Sequence, residues 1–126
     1  MYQIDPLSRT PIYEQIADMT EKLILSGVLK PGDMLPSVRG LSAELKTNPN
    51  TVQKAFTELD FRGIVQSVPG KGCYIRTDVF DALKKRGMAK LNELSRLLRE
   101  IKASGVGYED VKTEINKIYG GEEKGL

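Results

Sequence analysis

Residues 48–63 read Asn-Pro-Asn-Thr-Val-Gln-Lys-Ala-Phe-Thr-Glu-Leu-Asp-Phe-Arg-Gly, and this stretch decides the fold. Asn48 is a good helix N-cap, and Pro49 suits the first helical position because its missing N–H is not needed there. Apolar residues then recur at helical spacing and predict a buried face made of Val52, Ala55, Phe56 and Leu59. Gly63 ends the helix, and its other positions are mostly polar, so we expect the opposite face to meet water.

Two further helices are predicted ahead of this stretch. Ser37 is the expected cap of a short helix that ends near Lys46 and buries Val38, Leu41 and Leu45. Residues 11–26 predict a longer helix with Thr10 as its cap, Pro11 in its first position, Gly27 closing it, and a stripe of Ile12, Ile16, Met19 and Leu23. Two short helices separated by a turn of about three residues form a helix-turn-helix.

A hairpin is predicted directly after these helices. Residues 64–68 and 73–76 have the composition of strands, and Pro69-Gly70-Lys71-Gly72 joins them. A hairpin in this position is the wing of a winged helix, with the Lys71 charge at its tip. The alternative is that Lys71 is only a solubilising turn residue.

The pattern changes to helix without strand signals beyond residue 76. A long helix is predicted from Thr77 or Asp78 to about Ser104, with a three-four-three apolar seam of Leu91, Leu94, Leu98 and Ile101. Gly105-Val106-Gly107 breaks it, a shorter helix with Val111, Ile115 and Ile118 on one face follows, and residues 120–126 predict a polar, frayed tail. The predicted fold is therefore α+β, mostly α: a winged helix-turn-helix domain at 1–76 and a two-helix dimerisation segment at 77–126.

Composition excludes several classes of function. The chain of 126 residues has no histidine and one cysteine, Cys73, so neither a Ser-His-Asp arrangement nor the usual ligands of zinc or haem are present. We therefore expect no enzyme activity, no metal and no cofactor. The sequence has no apolar run long enough to span a bilayer and no signal-peptide pattern, which predicts a cytoplasmic protein without a membrane partner. The net charge of +2 gives only weak support for nucleic-acid binding.

Residues 4–76 resemble the GntR family of bacterial regulators, and specifically its YtrA-like branch. The resemblance lies in strings that occur in family order: Pro11-Ile12-Tyr13-Glu14-Gln15-Ile16, Gly27, Pro31-Gly32-Asp33, Leu35-Pro36-Ser37-Val38-Arg39, Asn48-Pro49-Asn50-Thr51-Val52, Lys54-Ala55-Phe56, Glu58-Leu59 and Gly70-Lys71-Gly72. The Asn-Pro-Asn-Thr-Val string and the short C-terminal segment point to the YtrA-like branch. Gly40 departs from the family pattern, in which a long polar residue is commoner.

The resemblance implies a DNA-binding transcriptional regulator, usually a repressor, of the kind often associated with membrane-transporter operons. It also implies that Arg39 contacts DNA, at a phosphate or at a base. The alternative for Arg39 is a surface ion pair with Glu44 or Asp60.

The N-terminal end of the second helix of such a motif normally reaches base edges in the major groove. Here that end presents Asn48, Asn50, Thr51, Gln53 and Lys54, whose amide, hydroxyl and ammonium groups suit adenine, thymine, guanine or a phosphate. The wing tip, Gly70-Lys71-Gly72, is expected at the minor groove. The alternatives are that Asn48 only caps its helix and that Asn50 and Gln53 form a solvated surface.

A two-fold dimer on an inverted repeat is expected, because one winged helix reads only a few base pairs. The interface is assigned to Leu91, Leu94, Leu98, Ile101, Val111, Ile115 and Ile118, the alternative being that these helices fold back on their own domain. A helix of some 27 residues, about 40 Å long at 1.5 Å per residue, argues against that alternative.

Two other readings of the chain stay open at this point. The competing function is a winged-helix module for protein–protein contacts, although its exposed helix face lacks apolar anchors. A small-molecule effector is unknown from the sequence; if one exists, we expect it at the dimer interface or near the domain junction. Cys73 is interpreted as a small packed apolar residue, with redox sensing as the alternative.

Overall fold

The computed structural model describes residues 1–120, which form two compact units, one of residues 1–86 and one that begins at Gly87. The first contains α1 (Ile12–Leu25), α2 (Val38–Leu45), α3 (Pro49–Phe61), β1 (Val65–Val68), β2 (Gly72–Ile75) and most of α4 (Val79–Ala89). The second contains α5 (Leu91–Ala103) and α6 (Tyr108–Tyr119). Residues 121–126 of the predicted tail lie outside the described residues. The α+β, mostly α, winged helix-turn-helix fold is confirmed.

The core of the first unit is built on the buried face of α3. Its predicted apolar residues, Val52, Ala55, Phe56 and Leu59, are all buried, together with Ile16 of α1 and Leu41 of α2. Val79 at the start of α4 is also fully buried in this core, so the predicted boundary at 76/77 lies inside the first unit.

Side-chain caps begin the two helices of the helix-turn-helix, as predicted. The hydroxyl of Ser37 accepts a hydrogen bond from the Gly40 amide at 2.9 Å, and Asn48 Oδ1 accepts one from the Asn50 amide at 2.7 Å. Between them, Lys46 adopts a left-handed conformation with φ of 52°, the one positive φ outside glycine among residues 1–120. This left-handed residue ends α2 and allows α3 to begin three residues later.

The prediction that Thr10 caps α1 is wrong. Pro11 occupies the N-cap position in an extended conformation, and no side chain caps the helix. The Thr10 carbonyl instead accepts a hydrogen bond from Gln15 Nε2 at 2.8 Å, and the same amide group bonds the backbone N–H and carbonyl of Asp5. A buried hydrogen bond of 2.7 Å between the hydroxyls of Tyr2 and Thr20 attaches the chain start to the middle of α1.

The predicted hairpin is present as β1 and β2, which pair antiparallel from Val65↔Ile75 to Val68↔Gly72. Its base is held by a third extended piece around Met34, which pairs with Tyr74. Backbone hydrogen bonds of 2.8 Å join Leu35 N to Cys73 O and Ile75 N to Asp33 O. β2 is therefore paired on both sides, with β1 on one side and with the segment that precedes α2 on the other.

The predicted uninterrupted helix from Thr77 or Asp78 to Ser104 is wrong, because α4 and α5 are separate helices divided at Lys90. The Lys90 amide bonds to the Gly87 carbonyl three residues back, at 3.1 Å, which tightens the end of α4. Gly87 in the last turn weakens the helix, since glycine costs a helix interior about 1 kcal/mol relative to alanine. Because α4 and α5 are separate, no single helix of about 40 Å is present among residues 1–120, and helix length does not support dimerisation.

A buried arginine joins α1 to the end of α3. Arg62 has a side chain only 6% exposed and bonds Glu58 at 2.8 Å, Asp18 at 2.9 Å and Glu21 at 2.6 Å. Burial by itself lowers the pKa of Arg62, but the hydrogen bonds to these carboxylates outweigh it and hold the pKa above its ordinary value. Arg86 of α4 adds a second cation, its Nε 3.2 Å from Glu21 Oε2 but outside hydrogen-bond geometry.

Arg62→Ala is expected to lower the free energy of unfolding by about 2–3 kcal/mol, because it leaves partly buried carboxylates without their shared cation. The matched control is Arg96→Ala, which breaks an ion pair with Glu100 whose two side chains are about 60% exposed. That control should change the free energy by less than about 0.5 kcal/mol. Urea unfolding followed by circular dichroism measures both, and equal losses would contradict the structural role of Arg62.

Candidate nucleic-acid interface

The first turns of α3 carry most of the predicted base-reading side chains on an exposed surface. Asn48, Asn50, Gln53 and Lys54 are exposed, whereas Thr51 is half-buried. The capping role of Asn48 is confirmed, and it occupies the side-chain oxygen that a base contact would also use. Asn50 and Gln53 have side chains that make no hydrogen bond within residues 1–120. They are therefore free to bond base edges in a major groove.

Lys54 contacts a residue that the sequence patterns did not place at this surface. Its Nζ lies 4.2 Å from the centroid of the Tyr13 ring, in the first turn of α1. The two residues are 41 positions apart, and Tyr13 entered the sequence analysis only as a member of a family string. No periodicity links the two positions, because their contact depends on how α1 packs against α3.

The tip of the hairpin is a tight turn made possible by glycine. Lys71 N donates to Val68 O at 2.9 Å, and Pro69 and Gly70 occupy the middle of this turn. Gly70 has φ of +76° in its second central position, as a type II turn requires. A side chain at Gly72, with φ of +133°, would also crowd Met34 Sδ at 3.0 Å. The turn leaves the Lys71 ammonium exposed.

A cleft of about 510 Å³ lies between the hairpin tip, α3 and the start of α2. It is lined by four of the predicted DNA-contacting residues, Gln53, Gly70, Lys71 and Gly72, and by apolar residues that include Met34, Val38 and Phe56. The fold therefore brings the wing tip and α3, which has the position of the recognition helix in a helix-turn-helix, to one concave surface. Asn48, Asn50, Thr51, Lys54 and Arg39 lie outside the lining of the cleft.

Arg39 is exposed in the first turn of α2, and the alternative of an ion pair with Glu44 or Asp60 is not found. No carboxylate among residues 1–120 lies within 4.0 Å of its guanidinium. The guanidinium is therefore available to an anionic ligand. At the neighbouring Gly40, a Cβ would lie 2.9 Å from the capping Oγ of Ser37, so a larger residue there would require the serine side chain to shift.

Cys73 lies in β2 with 8% of its surface exposed. Burial raises the pKa of its thiol, against the smaller opposing effect of the Ser67 hydroxyl 4.0 Å away. A raised pKa leaves less of the thiolate, which is the reactive form. These facts favour the packed apolar interpretation of Cys73 over redox sensing.

Cys73 in the folded protein is accordingly expected to react with Ellman's reagent at neutral pH more than about tenfold more slowly than in guanidinium-unfolded protein. The absorbance of the released thionitrobenzoate measures both rates. A fast reaction in the folded state would show that the thiol is accessible and would revive the redox interpretation.

An apolar surface covers part of the second unit. Leu91, Leu94, Ile101, Ile115 and Ile118 are exposed, with fractions from 37% to 79%, and Leu98 and Val111 are half-buried. All of these predicted interface residues except Leu91 line a groove of about 490 Å³ formed by α5 and α6. The second unit therefore presents a solvent-accessible groove whose lining is mostly apolar.

No helix within residues 1–120 combines the length and apolar character that crossing a membrane requires.

Comparisons with known proteins agree with this geometry. The family model described as bacterial regulatory proteins, gntR family, matches residues 12–75. The chain is similar to the HTH-type transcriptional repressor YtrA of Bacillus subtilis (strain 168), with 43% identity over 94% of this chain and 92% of that protein. A transcriptional regulator from Oenococcus oeni superposes with a TM-score of 0.73 at 32% identity, covering 95% of this chain and 100% of that one. The DNA-binding domain of AraR, solved in complex with operator ORX1, superposes with a TM-score of 0.52 at 27% identity, covering 58% of this chain and 90% of that one.

Proposed function

Because the chain belongs to the GntR family of bacterial regulatory proteins, we propose that this DNA-binding transcriptional regulator is a YtrA-like repressor that binds an inverted-repeat operator as a homodimer. One observation carries the proposal: the exposed amide side chains of α3 and the lysine-tipped hairpin are presented by the same compact unit. Gln53 and Lys71 line one cleft of that unit. The family is one of transcriptional regulators, not of enzymes.

The two parts of this surface have different tasks in the complex. Asn50 and Gln53, free of intramolecular hydrogen bonds in the described part of the chain, read base edges as α3 enters the major groove. Lys71 follows the minor groove, where the adjacent glycines allow the backbone to approach closely. Arg39 supplies a guanidinium to a phosphate or a base beside α3. Phosphate contacts provide most of the affinity, and base contacts provide the preference for one sequence.

A second copy of this chain is the proposed cover for the α5–α6 groove. Seven of the eleven residues that line the groove are apolar, and several of them, such as Leu94, Ile101 and Ile115, are solvent-exposed in one chain. Burying apolar surface yields about 25 cal/mol per Å². A two-fold pairing of identical surfaces also presents two recognition helices to two half-sites. The exposed apolar side chains support this pairing even though α4 and α5 do not form one long helix.

The family resemblance implies the wider context of the repressor. YtrA-like regulators are often associated with operons for membrane transporters, and such an operon is the proposed target. The site of action is the cytoplasm, where bacterial operators are found. The alternative of a protein–protein module is disfavoured by the polar character of the exposed α3 positions, Asn50, Gln53 and Lys54.

The Asn50→Ala/Gln53→Ala double variant is expected to lose the preference for specific DNA, because each lost base contact costs about 1–3 kcal/mol of discrimination. Fluorescence anisotropy on duplex from upstream of the protein's own gene, against scrambled duplex, measures this preference at two salt concentrations. Lys71→Ala is the comparison variant. It should weaken binding to both duplexes by the same factor, and it should reduce the slope of log affinity against log salt concentration by about 1. Failure of the wild type to bind any duplex at low salt would overturn the proposal and favour the protein–protein module.

The variant Leu98→Glu is expected to be a monomer, because it places a charge in the groove between α5 and α6. Light scattering after size exclusion should give twice the 14.0 kDa chain mass for the wild type and one chain mass for the variant. Ser95→Glu is the matched control, an equal charge change at an exposed position outside the groove lining, and it should remain dimeric. A monomeric wild type, with or without operator DNA, would contradict the homodimer.

A further inference from the structure

The contact between Lys54 and Tyr13 assigns a role to a residue of α1 that lies outside the recognition helix. Lys54 is exposed on α3, yet its Nζ lies over the Tyr13 ring, 4.2 Å from the centroid. An ammonium within about 6 Å of a ring centroid is attracted by the negative face of the ring. The long side chain is thus drawn toward α1, away from the free orientation of a solvated lysine.

Tyr13 is a suitable platform because its own position is restrained. It is half-buried and packs against the hydrophobic core of the first unit. Its hydroxyl donates a hydrogen bond to Glu14 Oε1 at 3.3 Å. One face of the ring remains available to the Lys54 ammonium, so the cation is located by the packing of α1 on α3.

We propose that Tyr13 is a positioning residue that holds the Lys54 ammonium where it can contact a DNA phosphate beside α3. This inference rests on the proposed function, DNA binding through α3. A lysine acts on phosphate as a point charge with three donors, and the donors that face away from the ring remain available. Tyr13 therefore assigns Lys54 to affinity and leaves base reading to Asn50 and Gln53.

The contact with Tyr13 is expected to raise the affinity for DNA by a modest and measurable factor. Immobilising a flexible lysine when DNA binds costs affinity, and a side chain already held in place loses less conformational freedom. The magnitude of that saving corresponds to about two- to tenfold in affinity. The gain is independent of DNA sequence, because a phosphate contact does not distinguish base pairs.

A double-mutant cycle on operator and scrambled duplexes tests the assignment, using wild type, Tyr13→Leu, Lys54→Ala and the double variant. Lys54→Ala should weaken binding to both duplexes by the same factor and reduce the slope of log affinity against log salt concentration by about 1. Tyr13→Leu should weaken both by about two- to tenfold. The double variant should bind DNA no more weakly than Lys54→Ala does, because Tyr13 acts only through Lys54. Tyr13→Phe keeps the ring but loses the hydrogen bond to Glu14, so its affinity should lie closer to that of the wild type than to that of Tyr13→Leu.

A measurement on the wild type keeps the test independent of how well the Tyr13→Leu variant folds. Ring currents should shift the ε-methylene protons of Lys54 upfield in the free protein, and the shift should persist in the operator complex. Any of four results would overturn the inference. The first two are losses of affinity that add up in the cycle and tighter DNA binding by Tyr13→Leu. The other two are a loss of affinity for the operator alone in Lys54→Ala and disappearance of the upfield shift when DNA binds.

The failure of this inference is distinguishable from failure of the proposed function. If the wild type prefers the operator and the Asn50→Ala/Gln53→Ala variant loses that preference while the cycle is additive, only the role of Tyr13 is overturned. If the wild type binds no duplex, both are overturned.

Discussion

The burial of one face of α3 is the constraint on which the rest of the first unit depends. Val52, Ala55, Phe56 and Leu59 are almost completely removed from water, and they can be buried together only if α1, α2 and the hairpin surround one side of the helix. The opposite side then necessarily faces outward. Asn50, Gln53 and Lys54 are therefore presented to solvent by the packing of the core, without any need for a separate device to expose them.

The elements around α3 are attached to it by polar contacts as well as by apolar packing. Arg62, which follows the last residue of α3, forms ion pairs with two carboxylates of α1 and one of α3. These ion pairs fix the end of α3 against α1. Near the middle of α3, Lys54 lies over a tyrosine of the first turn of α1. α3 is thus attached to α1 at its middle and at its C-terminal end, which restrains the surface that DNA would meet and limits the entropy lost on binding.

Sequence patterns predicted the local structure well where one short segment contained all of the information. The caps Ser37 and Asn48, the apolar periods of the first three helices, and the glycine turn of the hairpin each depend on residues within a few positions. The errors arose where two local signals competed. Pro11 took the cap position expected of Thr10, and Gly87 with Lys90 interrupted a run whose apolar spacing predicted continuity.

The sequence by itself determined which face of each helix is apolar, where the helices of the motif begin, and which residue types stand at the recognition positions, because these follow from local spacing and backbone chemistry. Only the tertiary structure decided which distant residues meet. Examples are Tyr13 beside Lys54, the carboxylates around Arg62, and Gln53 beside the tip of the hairpin. Such contacts depend on how whole elements pack in three dimensions, and no periodicity along one chain contains that information.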